Sequence, residues 1–342
     1  MAMSLAVKYR PSTLDEIVSQ KSIVEILKRQ LEREEFSNCY LFTGPSGTGK
    51  TTTARAFAMA INKGCGSPIE IDAASNNGVD NVRDLIKDAS TRAIDSKYKI
   101  IIMDEVHMLS TAAWNAFLKT LEECPKYTIF MFCTTDPQKI PATIVNRVMR
   151  FNLTKIPTDL IRARLDFICA QEGYTTYEDS IDYISKIANG GMRDAIAMLD
   201  KVQYYSHSLS LSTTLDILGN FSYDTLFKLT NGIIDGEYNV VMEVIEGLYD
   251  QGNDLKLFID TYLAFTFDLI KYCVFGTLSV TQIPQVYEDL AHHTVGIEGP
   301  REYFIKVSNK LLELKNMIKY DTNIKTTVET YLTVLCRGII WY

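Results

Sequence analysis

A chain of 342 residues, 46% of them hydrophobic and 23% charged, is long enough for two or three globular domains, each burying a core of its own. No run approaches the roughly 20 apolar residues that a membrane helix needs, and Met1 to Lys8 lacks the basic start and apolar stretch of a signal peptide, so the chain is expected to stay in a cytosol. A net charge of -7 argues against coating nucleic acid by bulk charge, although a local basic stripe would be hidden in that total.

Between about Leu5 and Thr154 short β-rich runs alternate with helical ones, the pattern of a parallel sheet covered by helices. The strands are expected at Cys39 to Thr43, Ile69 to Ala73, Lys99 to Asp104, Thr128 to Thr134 and Val148 to Leu153. Apolar spacing of three and four predicts helices over Lys50 to Ile61, Val79 to Ala93 and Thr111 to Glu123. This predicts a doubly wound α/β domain over 1–156. From Pro157 the pattern turns helical and reads as a small lid over 157–219. The remainder, 220–342, carries amphipathic helices at Tyr223 to Ile234, Asp254 to Phe275 and Glu302 to Tyr320, with strand signal only at its end, and is expected to be an all-helical collar. Neither an internal repeat nor a low-complexity tail is visible.

The seven cysteines lie far apart with no CxxC pair, which suits reduced, mostly buried thiols and predicts neither a disulfide framework nor a zinc site. His292 and His293 are adjacent, but side chains at i and i+1 do not share a helix face, so no metal is expected there.

The strongest chemical signal follows the run Tyr40-Leu41-Phe42. Gly44, Pro45, Ser46, Gly47, Thr48, Gly49, Lys50 and Thr51 match GxxxxGK[ST], between an expected strand and an expected helix. Glycines let the backbone wrap around phosphates with its N–H groups inward, and the following helix offers its positive N-terminus. Lys50 is expected to reach the β/γ-phosphates and Thr51 to place a hydroxyl on Mg²⁺, with Thr52 beside them in the ATP-binding set. Nothing structural requires the lysine. Some fifty residues on, Ile100-Ile101-Ile102-Met103 reads as a buried strand ending in Asp104-Glu105. Asp104 would hold Mg²⁺, and Glu105 would orient or deprotonate an attacking water, which points to hydrolysis of ATP.

The neighbouring strings carry a family resemblance. The runs Ala6-Val7-Lys8-Tyr9-Arg10-Pro11, Ile71-Asp72-Ala73-Ala74-Ser75-Asn76-Asn77-Gly78, Asp104-Glu105-Val106-His107-Met108-Leu109 and Thr134-Thr135-Asp136-Pro137-Gln138-Lys139 resemble AAA+ clamp-loader ATPases, in particular the gamma/tau subunits of bacterial DNA polymerase III. The resemblance is dense from Leu5 to about Asp200 and thins to helix pattern beyond Gly219.

By that resemblance Tyr9, Arg10, Pro11 and Val18 line the adenine pocket, and Thr134 or Thr135 senses the γ-phosphate, the sequence leaving both open. Arg193 matches the lid arginine that reaches back to the phosphates. Arg147 matches a finger acting on the ATP of an adjacent subunit, with Arg150 as a competing candidate; the family carries Ser-Arg-Cys here, whereas Asn146 and Val148 flank Arg147. A shared site implies an oligomer. The resemblance further implies a ring of clamp-loader subunits, pentameric in the family, that opens a sliding clamp and loads it on primer-template DNA. Ser75, Asn76 and Asn77, with Ser110 and Thr111, match positions that follow the DNA backbone, although the same residue types serve as ordinary helix caps. The surface near Ser110 to Trp114 is the expected clamp contact.

Two departures stand out. The family's four-cysteine zinc module is replaced by Asn62 to Pro68, which holds only Cys65, so ATP and Mg²⁺ are expected without zinc. No polymerase- or helicase-binding extension follows residue 342, which suggests a compact version of the family from a phage or a divergent bacterium. Two rivals are a non-hydrolysing structural subunit of the same ring, which intact Lys50, Thr51, Asp104 and Glu105 count against, and another AAA+ motor such as a branch-migration helicase, which should end in a winged-helix or helix-turn-helix domain.

Overall fold

Five parallel strands organise the first part of the computed structural model, which describes residues 3–176, 178–205, 208–219 and 221–336. They are β1 (Cys39–Thr43), β2 (Ile69–Asp72), β3 (Lys99–Asp104), β4 (Thr128–Thr134) and β5 (Met149–Asn152), in the order β2-β3-β4-β1-β5. In β1 and β4 every residue is buried, and in β3 every residue but the last, because their Ile, Phe and Met runs are covered on both faces as parallel strands require. The edge strands β2 and β5 are largely exposed and carry Glu70, Asp72, Arg150 and Asn152.

Helices α1 (Leu5–Lys8), α2 (Lys21–Arg33), α3 (Lys50–Ile61), α4 (Val79–Ala89), α5 (Thr111–Glu122) and α6 (Ala142–Val145) accompany the sheet. Strand alternation sorts the core into two layers. On one face Tyr40, Phe42, Ile100, Ile102 and Met131 pack with Leu27 of α2 and Phe57 of α3. On the other, Leu41, Ile101, Phe130 and Phe132 pack with Val82 of α4 and with Trp114 and Phe117 of α5. Trp114, expected near a clamp-contact surface, is therefore a core residue at 2% exposure, its ring edge-on to Phe132; Ser110, Thr111 and Ala112 remain exposed.

Helix α4 stops at Ala89 rather than Ala93 because its last carbonyls find other donors. Ser90 and Thr91 hydroxyls donate to the carbonyls of Ile86 (3.0 Å) and Asp88 (2.7 Å), and the buried Lys99 ammonium also donates to the Asp88 carbonyl at 2.6 Å.

The chain continues through α7 (Thr158–Glu172), α8 (Glu178–Ile187), α9 (Met192–Tyr205), α10 (Leu211–Leu218), α11 (Tyr223–Asp235), α12 (Tyr238–Asp250), α13 (Leu255–Phe275), α14 (Glu288–Thr294), α15 (Pro300–Ile318) and α16 (Ile324–Cys336). The lid segment, expected to be wholly helical, also contains the two-residue strands β6 (Thr175–Thr176) and β7 (Ser208–Leu209), paired in parallel. Asp254 caps α13 by accepting from the Lys256 N–H at 2.8 Å, and Pro300 opens α15 behind the left-handed Gly299. The strand signal at the chain's end lies outside the described residues.

Two compact units result: Met1–Ile168 with Ala188–Asp200, and Cys169–Ile187 with Lys201–Tyr342. The second is built on one apolar cluster in which Phe227, Phe258, Tyr262, Leu269, Phe304 and Leu332 are fully buried. No described helix is long and apolar enough to cross a membrane.

Candidate nucleotide site

Strand register sets the site. Thr43 lies beside Thr134 and Asn152, and Asp72 beside Asp104, so the carboxyl ends of all five strands share one edge of the sheet. In open α/β sheets ligands bind outside that edge. The loop leaving β1 runs from there into α3.

Two of its glycines are dictated by close approach. At Gly44 (φ +149°) an added Cβ would lie 2.4 Å from the Leu153 carbonyl oxygen, and at Gly47 (φ +72°) 2.9 Å from Gly191 Cα. The Met192 N–H donates to the Gly47 carbonyl at 2.9 Å, which brings the start of α9, and with it Arg193, to the loop. Lys50 is only 6% exposed, and its ammonium donates to the Pro45 carbonyl at 2.9 Å. Burial lowers the Lys50 pKa below the ordinary lysine value, an effect opposed by Glu105 and Asp104. The Thr48 hydroxyl donates to the same carbonyl at 2.8 Å.

The Thr51 hydroxyl donates to Asp104 Oδ2 at 2.7 Å. A hydroxyl and a carboxylate at that spacing are the hard oxygen donors that Mg²⁺ takes together with waters and phosphate oxygens, so these residues fit the ion. Glu105, in left-handed backbone at φ +48°, directs Oε2 to Thr135, accepting from its hydroxyl at 3.1 Å and its N–H at 3.4 Å. Thr134 faces elsewhere: it is fully buried, accepts from the Asp136 N–H at 3.0 Å and lies 3.1 Å from His107 Nδ1. Of the two threonines, Thr135 is the one that meets Glu105.

The N-terminal strap is pinned by residues that sequence reasoning missed. The buried Gln20 side chain donates to the Thr154 carbonyl (2.7 Å) and accepts from its N–H (3.2 Å), while Arg164 donates to the Tyr9 carbonyl at 2.9 Å. Tyr9 meets Phe167 edge-on at 6.4 Å, and Pro11 and Val18 are half-buried along the same strap. Burial foremost, then Arg55, lowers the Arg10 pKa; Glu70 and Asp104 oppose this and Arg193 adds to it, so Arg10 belongs to the charged group around the loop. Arg55 pairs with Glu70 at 2.5 Å. These partners are far apart in sequence, and no local signal marks them.

Other predicted residues are engaged locally. Arg147 forks onto Glu122 with Nε and Nη2 (3.0 and 2.6 Å) and gives Nη1 to the Thr143 carbonyl (2.7 Å); Arg150 is exposed on β5. The Ser75 hydroxyl and Asn76 amide donate to Asp72, Ser110 caps α5 through the Ala113 N–H, and the Asn77 carbonyl accepts from the Ser110 N–H. Thr111 and Thr52 begin their helices' exposed and half-buried faces, respectively. The cysteines are free, and among the described residues no group of three or more His, Cys, Asp or Glu could hold a metal.

A glycine-lined phosphate cradle feeding a helix, with a threonine and a strand-end Asp-Glu pair beside it on this sheet, defines the class: a P-loop nucleotide-binding chain of AAA+ fold. The RuvB Holliday junction branch migration motor of Thermotoga maritima superposes with a TM-score of 0.52 at 17% identity, covering 66% of this chain and 80% of that one, which is a likeness of fold. A family model described as DNA polymerase III, delta subunit, matches residues 68–157. DNA polymerase III subunit tau of Bacillus subtilis is 35% identical over 96% of this chain and 62% of its own length. DNA polymerase III subunit gamma/tau of Mycoplasma genitalium is 33% identical over 80% of this chain and 50% of its own. The chain is a homologue of the DNA polymerase III gamma/tau subunits, as its motifs indicate, and spans half to two thirds of these relatives' length.

Proposed function

We propose that the chain is the ATP-hydrolysing subunit of a sliding-clamp loader, in which ATP binding orders a ring that opens a clamp and grips primer-template DNA, and hydrolysis releases the loaded clamp. The observation that carries this reading is the convergence of Lys50, Thr51, Asp104, Glu105 and Thr135 at one sheet edge, in a homologue of gamma/tau subunits.

In this reading the loop from Gly44 to Thr52 and Arg193 hold the phosphates, and Tyr9, Arg10, Pro11 and Val18 enclose the base. Thr51 and Asp104 hold Mg²⁺, which supplies charge neutralisation at the β/γ-phosphates. Glu105 takes a proton from a water whose oxygen attacks the γ-phosphorus, the bond to the β–γ bridging oxygen breaks, and ADP and phosphate leave. Thr135 is the sensor of the γ-phosphate. Arg147 acts on the ATP of the adjacent subunit once it exchanges Glu122 for phosphate, so Arg147→Ala impairs turnover only in the assembled ring.

We assign residues 1–156, 157–219 and 220–342 to nucleotide-binding, lid and collar parts, the ring to five clamp-loader subunits, and the work to a bacterial or phage-infected cytoplasm. Ser75, Asn76, Asn77, Ser110 and Thr111 face the DNA backbone in this reading. ATP turnover measured with and without clamp and primed DNA tests it: the two together should stimulate turnover, and no stimulation would refute it.

A further inference from the structure

His107 is absorbed by none of these roles, yet it stands at the centre of the strand-end network. It sits in the 3₁₀ turn Val106–Met108, its side chain 13% exposed, with Nδ1 3.2 Å from Glu105 Oε2 and 3.1 Å from Thr134 Oγ1. The Nδ1 hydrogen bond is to Thr134 Oγ1, and the same nitrogen stands close enough to the Glu105 carboxylate for a direct electrostatic contact.

Glu105 Oε2 receives two hydrogen bonds, from the Thr135 hydroxyl and the Thr135 N–H, and His107 Nδ1 lies within ion-pair distance of it at 3.2 Å. Among the described residues Oε1 receives none. One carboxylate oxygen is anchored at the end of β4 and neighboured by the His107 ring, and the other remains an open acceptor. Thr134 completes the frame, because its buried oxygen, held by the Asp136 N–H, fixes where the imidazole lies.

We propose that His107 is a positioning residue for Glu105: its Nδ1, held by Thr134, bears on Oε2 at 3.2 Å, so that Oε1 is the oxygen presented to the attacking water. The proposal rests on Glu105 being the base of an ATP hydrolase. Backbone strain sharpens the need for such an anchor. A non-glycine residue in left-handed backbone gains no directional preference from a regular element, so the carboxylate's aim depends on its partners.

The test is single-turnover ATP hydrolysis beside ATP binding, with clamp and primed DNA present, for the full-length wild type, His107→Ala, His107→Asn and His107→Gln. Asparagine places an amide N–H near the position of Nδ1, and glutamine near that of Nε2. His107→Ala should slow hydrolysis about 10- to 100-fold, within the span a positioned base supplies, while the Kd for ATP changes by less than about twofold. His107→Asn should recover most of the rate, and His107→Gln should stay close to alanine. A wild-type rate in His107→Ala, or asparagine as slow as alanine, overturns the role of His107 while leaving the hydrolase reading intact; a wild type that binds ATP without cleaving it overturns both.

Discussion

Buried charge is handled differently in the two units. In the helical unit Asp268 is 4% exposed, but its carboxylate accepts from Lys271 at 2.7 Å and from the Gln282 N–H at 2.8 Å, so the chain itself satisfies it. In the sheet-bearing unit Lys50 is as deeply buried, yet no carboxylate lies within ion-pair distance among the described residues and a neutral carbonyl is its acceptor. Lys99, buried in the same unit, shows that this is local: it pairs with Asp88 at 2.7 Å. A buried cation that the chain leaves without a counter-charge is costly to folding, and an external polyanion removes that cost. One unit is closed by its own side chains, and the other leaves a buried ammonium that phosphate would complete in the proposed reading.

The sharpest way to break that contrast is Lys50→Ala. It should weaken ATP binding by about 100-fold or more, because a charge-assisted contact at a desolvated site is lost, while the unfolding midpoint stays unchanged or rises; binding titration beside thermal melting reads both. Phe258→Ala probes the opposite behaviour. Phe258 is fully buried, edge-on to Phe221 at 4.9 Å and stacked on Tyr262, so its truncation should cost about 3–5 kcal/mol in denaturant unfolding.

Gly44→Ala combines the two effects. Its Cβ would meet a backbone oxygen of Leu153, so the loop must shift, at about 1–3 kcal/mol of stability together with a measurable loss of ATP affinity. The smallest change is expected for Arg147→Ala in the isolated chain. Its ion pair with Glu122 is partly exposed and should contribute less than about 1 kcal/mol, so a normal melt with impaired ring turnover is the expected combination.

The pattern of what was legible follows the same division. Strands β1 to β5 and the Gly44 to Thr51 loop stand out in the sequence because strand ends and phosphate loops impose local requirements: buried runs, glycines in left-handed backbone, a lysine at a fixed step. The amphipathic helices of the second unit were legible as core-forming and as nothing more, since apolar periodicity encodes burial without chemistry. What escaped depends on partners distant in the chain. Gln20 finds Thr154, Arg164 finds Tyr9, and His107 meets Glu105 and Thr134 only once β3 and β4 lie side by side. The sequence leaves Thr134 and Thr135 open because which of them meets Glu105 depends on how β4 ends against the Asp104-Glu105 turn. Trp114 misled because helix α5 exposes its first residues and turns its next ones into the core.

If this sheet edge both binds and cleaves ATP, Glu105→Gln separates the two steps. Pre-bound ATP, followed through a single turnover in the full-length chain and in the variant, should be cleaved by the first and retained by the second, with equal affinity at the start. Equal cleavage by both would show that Glu105 is not the base, and no cleavage by either would make the chain a nucleotide-binding subunit that does not hydrolyse.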